Sequence, residues 1–542
     1  MICVVLEVIM ELSLPLILAN IINIGITNND IKYIIIKIII MLLILILGII
    51  GSILGTYIST LISVDISTKL RKKIVNKSLN LDYKNIDNLN IGNIVTLTTN
   101  DISNIENVIF LILKIFIKVP IIIIGSIFMC LTLSLKLSLI LLIIVPIIII
   151  ISYIFMKKSY PYFRMTYEKI DSFNSKVREN INMIKLVKAN NKEKYEINKF
   201  KVQNNELKNI NIKALKILSL MMPLIIFIIN ITTILILIIS KQQIKYGFEI
   251  GNITAFIEYI SLLLSSIISV SMIFLLILES TVSMKRIKEI LTKKEEIKNK
   301  GKILNRIKQI ELKNVCFSYN KKYNLENINL IIKNKEKIAI VGESGSGKTT
   351  LINLLTRNYD ITKGNVLIND IDIRKYNISS LRKEIRIINQ KNNVFKNTIA
   401  NNIKFNKKIN IEKVLKITLS ENIVNKKEKK LKYIIEQNGK NLSGGEKERI
   451  ILCRSLVEDF SLLVLDDSLS ALDLKTEEKI IKNILKEYKD KTIIFITNRI
   501  RTVKNFDKIV LISNGKIEKI GTHEELLDNQ NYKKLYDIGE VI

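Results

Sequence analysis

The stretch IAIVGESGSGKTTLINLL (residues 338–355) places an apolar run of strand length, a glycine-rich turn and the start of an amphipathic helix in succession. Gly342, Gly347, Lys348 and Thr349 satisfy the spacing GxxxxGK[ST]. Each part has a physical task. The glycines let backbone N–H groups from Gly342 through Glu343, Ser344, Gly345 and Ser346 to Gly347 wrap an anion, and the helix that continues through Thr350 adds the positive end of its dipole. Lys348 can reach β- and γ-phosphates, and Thr349 offers a hydroxyl to Mg²⁺. The strand before and the helix after separate this loop from a chance match, so the stretch predicts an α/β domain that binds a nucleotide.

Further on, SLLVLDDSLSALD (residues 461–473) carries the second half of such a site. Leu462 to Leu465 form a continuous apolar run, as expected of a parallel strand buried on both faces. Asp466 at its carboxyl end suits a Mg²⁺ shell, and Asp467 stands where a base would activate water. Between the two stretches, NLSGGEKERI (residues 441–450) opens a helix with Ser443, Gly444 and Gly445, a second anion-binding end. That segment is a weak signal alone and a specific one beside the other two.

Working outward, the 542 residues exceed the size of one hydrophobic core and predict at least two domains. Apolar residues make up 48% although Trp is absent and aromatics are only 6%, so Ile and Leu carry the hydrophobicity. The formal charge of +32 comes from Lys spread over the whole chain rather than gathered with aromatics on one element, which argues against nucleic acid as a partner. Cys3, Cys130, Cys316 and Cys453 are far apart and lack CxxC spacing, signalling neither a disulfide framework nor a metal site.

Up to about residue 291 the chain alternates long apolar runs with basic stretches. Six runs, at residues 4–26, 33–58, 108–131, 137–156, 217–240 and 253–278, each approach the ~20 residues that cross ~30 Å of hydrocarbon. Pro15, Pro120, Pro146 and Pro223 fall inside them, which packed membrane helices tolerate. The two long connections, residues 59–106 and 157–216, are rich in Lys and Arg and are assigned to the cytoplasm, with helices expected to continue beyond the bilayer. The first run begins almost at once, with no basic leader or small-residue cleavage site, so no removable signal peptide is expected. Glu7 and Glu11 lie one turn apart in it and have two readings: they line a polar cavity that meets a cationic substrate, or they reach headgroup water. Lys114 and Lys118 in the third run are expected to snorkel.

Together these motifs resemble the ATP-binding cassette (ABC) transporters, and in particular the exporter half-transporters that fuse one six-helix membrane domain to one nucleotide-binding domain. The resemblance spans essentially the whole chain. It implies an α-helical six-span membrane domain at residues 1–291, a linker at 292–307, and an α/β P-loop nucleotide-binding domain at 308–542. That domain would have a RecA-like core, an antiparallel β subdomain and an α-helical subdomain. Residues 71–106 and 169–200 look like the family's two intracellular loops. By the same resemblance, Tyr319 in VCFSY stacks on adenine. Gln390 in IINQ senses the γ-phosphate and joins Thr349 and Asp466 around Mg²⁺. Ser443, Gly444, Gly445 and Glu446 form the signature that closes over ATP on the opposite subunit, and the loop ending at Asp473 crosses the dimer interface. The implied cofactors are ATP and Mg²⁺. The implied partners are a second half-transporter, membrane lipid and a small amphipathic substrate, in a bacterial plasma membrane with the nucleotide-binding domain cytoplasmic.

Three positions depart from the family pattern. Asp467 stands where Glu is usual, Asn498 where the switch His is usual, and Glu446 where the signature ends in Gln. The one histidine, His523, is near the C-terminus. Asp is one methylene shorter than Glu, and a misplacement of about 1 Å can cost on the order of a hundredfold in rate. Asn498 forms hydrogen bonds but cannot carry a proton as imidazole does. The expectation is tight ATP binding with slow hydrolysis, as in the degenerate-site subunit of a heterodimeric exporter. The alternatives are a homodimer with two slow sites and an ATP-gated regulatory subunit that moves no substrate.

Overall fold

A computed structural model describes residues 2–541 apart from 88–90, 245–246, 295–296, 298, 321 and 391–392, so parts of the loop at 71–106, of the connection before the sixth span and of the expected linker lie outside the described residues. The chain divides into two compact units. One comprises Met1–Asn80 and Leu89–Lys293, the other Leu81–Asn88 and Lys294–Ile542.

The first unit is helical, and among the described residues six helices are long and apolar enough to cross a membrane. Three of them, Ile31–Asn80, Leu135–Asn182 and Glu193–Ile244, have 50, 48 and 52 residues. At about 1.5 Å per residue each is roughly 75 Å long, more than twice the hydrocarbon thickness. The apolar runs read from sequence are thus the membrane-crossing parts of longer helices whose remainder is polar. Pro146 and Pro161 lie inside Leu135–Asn182 and Pro223 inside Glu193–Ile244. Pro120 instead occupies the first turn of Lys118–Leu133, where a missing N–H costs nothing. The third span is broken by π-helical turns at Leu97–Asp101 and Ile112–Phe116.

The helices meet through an apolar cluster that includes Val8, Leu137, Ile225, Phe256, Tyr259 and Leu263, while Ile124, Leu142 and Ile143 stay largely exposed. An outward apolar surface of this kind suits lipid. Tyr259, fully buried, donates its hydroxyl hydrogen to the Leu12 carbonyl at 2.6 Å.

The expectation that Lys118 snorkels is corrected. Its Nζ lies 2.8 Å from Glu7 Oε1 and 2.7 Å from Glu11 Oε1, with all three side chains mostly buried. The i,i+4 spacing aims both carboxylates at one neighbouring helix, and in a poorly solvated interior pairing outcompetes a stretched path to water. The two acids therefore hold a protein cation, and neither of the two readings offered for them from sequence describes that contact.

The second unit contains a four-stranded antiparallel sheet and a six-stranded sheet. The first is ordered β2-β1-β4-β5, with β1 at Gln309–Phe317, β2 at Leu325–Lys333, β4 at Lys363–Ile368 and β5 at Ile371–Asp372. The second is ordered β10-β9-β3-β8-β7-β6, with β3 at Lys337–Val341, β6 at Ile385–Ile388, β7 at Leu462–Asp466, β8 at Thr492–Ile496, β9 at Lys508–Ser513 and β10 at Lys516–Gly521. β9, β3, β8, β7 and β6 run parallel, and β10 closes the edge antiparallel.

Alternation along the parallel strands explains the apolar runs. Ala339, Val341, Leu463, Leu465, Ile493 and Phe495 face one core; Ile338, Ile340, Leu462, Val464, Ile494 and Ile496 face the other. Every residue of β7 and β8, and of β3 after Lys337, is thus buried, because the pleat sends successive side chains to two cores rather than one. The second unit has the fold of a P-loop nucleotide-binding domain, and the first is a helical membrane domain.

Candidate nucleotide site

The parallel register brings the carboxyl ends of β3, β7 and β8 together, with Ile340 opposite Ile496 and Asp466 opposite the same residue. In an open parallel sheet this edge is where ligands bind. A cavity of ≈ 320 Å³ lies there, lined by Asn324, Ser344, Gly345, Gly347, Lys348, Thr349, Thr350, Gln390, Asp466, Asp467, Ile496, Thr497 and Asn498. The loop and the acids singled out from sequence are thus collected in one place. Gly342 and Ser346 shape the same turn from beneath: Gly342 has φ 155°, and a Cβ on it would come within 2.1 Å of the Ile512 carbonyl oxygen. Only glycine fits that approach.

Lys348 starts the helix Lys348–Leu355, and its Nζ donates to the carbonyls of Gly342 and Glu343, each at 2.7 Å. Burial lowers its pKa, opposed by Asp466 and Asp467. Asp466 is 2% exposed; burial raises its pKa, opposed by the Thr349 side chain and Lys348. Asp467 takes Gln390 Nε2 on its Oδ2 at 3.1 Å, and burial raises its pKa against Gln390, Arg499 and Lys348. Its backbone N–H bonds to the Ile496 carbonyl at 3.0 Å and its φ is 44°, a left-handed conformation that Asp tolerates better than most residues. Asn498 is exposed on the wall of this cavity.

Two buried oxygens here lack a hydrogen-bond partner, Ser346 Oγ and Asp466 Oδ2. Buried polar atoms are normally satisfied, so these mark places for ligand atoms. Thr349, Asp466 and Gln390 offer hard oxygen donors, which fits Mg²⁺. When bound there, that ion would supply positive charge that neutralises charge building on the phosphates.

Tyr319 is 43% exposed. Its ring packs edge-on against Phe317 and Tyr359 at 4.8 and 5.1 Å. Its backbone N–H bonds to Asn324 Oδ1 at 3.1 Å, and Asn353 of the phosphate-loop helix donates to its hydroxyl at 3.4 Å. An exposed aromatic face beside the cavity suits a base. Tyr359 in turn donates its hydroxyl hydrogen to Asp87 on the short helix Tyr83–Asp87, a cytoplasmic turn whose contacts place it in this unit.

The signature residues do not line this cavity. Ser443 is the N-cap of the helix Gly444–Leu456, and with Glu446 it forms a capping box: Glu446 N–H to Ser443 Oγ at 3.2 Å, Ser443 N–H to Glu446 Oε2 at 2.9 Å. Glu446 thereby satisfies an orphan donor of the helix end. Burial works against its charge, but the Ser443 N–H and Lys427 hold its carboxyl below its ordinary range. Asp473 likewise caps the helix Leu474–Glu487 by accepting the Thr476 N–H at 2.9 Å. His523 bonds through Nδ1 with the Tyr532 hydroxyl at 2.8 Å and packs on Tyr536. Sequence reading missed Asn324, Thr497 and Arg499 at this site; only their nearness to the β2 start and the β8 end could have pointed to them.

Comparisons agree with this geometry. Residues 1–268 match the family described as ABC transporter transmembrane region, and residues 325–470 match ABC transporter. The chain is 30% identical over 540 residues to the uncharacterized ABC transporter ATP-binding protein YfiB of Bacillus subtilis, covering 98% of this chain and 94% of that protein. It is 35% identical over 355 residues to the ATP-dependent lipid A-core flippase of Wigglesworthia glossinidia brevipalpis, covering 64% of this chain and 61% of that protein. In fold it is similar to a bacterial Atm1-family ABC exporter solved with ATP bound, at TM-score 0.88 and 19% identity over 98% of this chain and 97% of that one.

The chain belongs to the ABC transporter family, as an exporter half-transporter with an ATP-hydrolysing domain. It is a multi-pass plasma-membrane protein with a cytoplasmic nucleotide-binding domain.

Proposed function

We propose that this chain is the subunit of a dimeric exporter that binds ATP tightly and hydrolyses it slowly at its own site, while its signature helix completes a faster site on a different chain. The observation that carries this reading is the Asp467–Gln390 contact beside Asn498: the binding residues are complete, yet the base is the shorter acid and no imidazole stands on the cavity wall. Losing a positioned general base lowers rates roughly a hundred- to ten-thousandfold. Ser443 to Gly445 lie outside the chain's own cavity, which supports their service to a partner's nucleotide. In this reading ATP closes the two cassettes, closure turns the membrane domains outward, and hydrolysis resets them.

The substrate is an amphipathic molecule, drug-like, lipid or peptide. The lipid flippase among the relatives and the aliphatic membrane unit both support that class. Steady-state Mg²⁺-ATP turnover of the chain purified alone, with Lys348→Ala as the blank, tests the proposal. Turnover at the blank level with measurable nucleotide binding is expected. Robust turnover that disappears in the Lys348→Ala variant would overturn it in favour of a homodimer.

A further inference from the structure

Glu448 lies on the signature helix Gly444–Leu456 and has no part in the nucleotide site described above. Its carboxylate takes the backbone N–H of Ala471 on both oxygens, at 3.2 and 3.1 Å. One residue earlier, the Ser470 carbonyl accepts Arg499 Nη2 at 3.2 Å, and Arg499 Nη1 is bonded to the buried Glu477 at 2.5 Å. The loop between Asp467 and the cap Asp473 is therefore gripped through its main chain from two sides. It also lies hard against the helix start, where a Cβ on Gly445 would come within 2.9 Å of Leu472 Cδ2.

We propose that Glu448 is a positioning residue for ATP hydrolysis: by holding the Ala471 amide it ties the signature helix, which serves the partner's nucleotide, to the setting of Asp467 at the chain's own. This rests on the reading in which two chains share each nucleotide. The loop starts at Asp467, whose left-handed backbone is secured by one main-chain bond to Ile496 and whose side chain is held by Gln390. A loop that shifts at Ala471 therefore turns the acid.

The grip depends on charge, since a bond to a carboxylate is about twice as strong as one to a neutral acceptor. The ionisable groups acting on Glu448 are Asp467 and Glu477, which oppose its charge, and Arg499, which favours it; burial comes first and raises its pKa to about 7. Protonation as pH falls through that value weakens the hold on Ala471.

The test uses the transporter complex as it purifies, with wild type, Glu448→Gln and Glu448→Ala. Hydrogen exchange at the Ala471 amide, read at pH 8, needs no turnover; it is expected to be at least about tenfold faster in Glu448→Ala. Wild-type turnover should rise with pH between 6 and 8. Glu448→Gln, which keeps an acceptor without charge, should stay flat near the low-pH level. Glu448→Ala should fall about tenfold with KM for ATP within about twofold. Exchange at the wild-type rate in Glu448→Ala, or an unchanged pH rise in Glu448→Gln, overturns the proposal. Native mass of the same complex separates this from the shared-site reading: a single cassette would sink the latter while the exchange result stands.

Discussion

Asp467 follows a strand buried at every position and holds a left-handed backbone, φ 44°, at the mouth of the nucleotide cavity. A residue kept in such a conformation costs on the order of 1 kcal/mol or more and persists where its surroundings fix it; here the bond from its N–H to Ile496 does so. The direction of the side chain is thereby set, and its reach is set by the missing methylene. Asp467→Glu combined with Asn498→His should raise turnover by about tenfold to a hundredfold over wild type, measured in the steady state against the Lys348→Ala blank. No gain would mean that another part of the site limits the rate and would remove the case for a degenerate centre. The identity of this acid was legible from sequence because it ends an apolar run. Its backbone was not, since the partner that fixes it lies on β8, some thirty residues away in sequence.

Among the elements, the first and third spans are joined by charge. Glu7 and Glu11 face Lys118 with side-chain exposures of 12%, 23% and 17%, and the trio carries one net negative charge. Removing the cation leaves two carboxylates in a poorly solvated interior, and breaking a buried pair in this way costs about 3–5 kcal/mol. Lys118→Met should therefore lower the thermal unfolding temperature in detergent clearly. Adding Glu7→Gln and Glu11→Gln should recover most of the loss, because no uncompensated charge then remains. A triple variant no better than Lys118→Met would show that Lys118 contributes through packing instead. Sequence pattern gave the shared face of Glu7 and Glu11 through their i,i+4 spacing, yet nothing along the chain says which helix packs on that face.

For the whole molecule, the remaining question is what the membrane unit carries. Glu7 and Glu11 are occupied by Lys118, whereas Glu258 is exposed on the helix Ile250–Thr292. A carboxylate facing hydrocarbon is costly, so its place is consistent with a polar cavity between two chains. Glu258→Gln should lower export of a cationic amphipathic probe several-fold relative to a neutral one of equal size in inverted vesicles. An unchanged ratio would remove charge as the basis of selection.

The sequence by itself determined the elements whose signals are local. The phosphate loop is dictated by glycines within a few residues of one another, the buried strands by unbroken apolar runs, and the spans by length against hydrocarbon thickness. It also showed that the usual Glu and His are replaced by Asp467 and Asn498. Only the tertiary structure decided what meets what: Gln390 on Asp467, Lys118 between two acids, Glu448 and Arg499 on the loop that follows β7. These contacts join residues tens to more than a hundred positions apart. Their partners are chosen by strand order and helix packing, which arise from the burial of the whole core and leave no periodic trace in any short stretch of sequence.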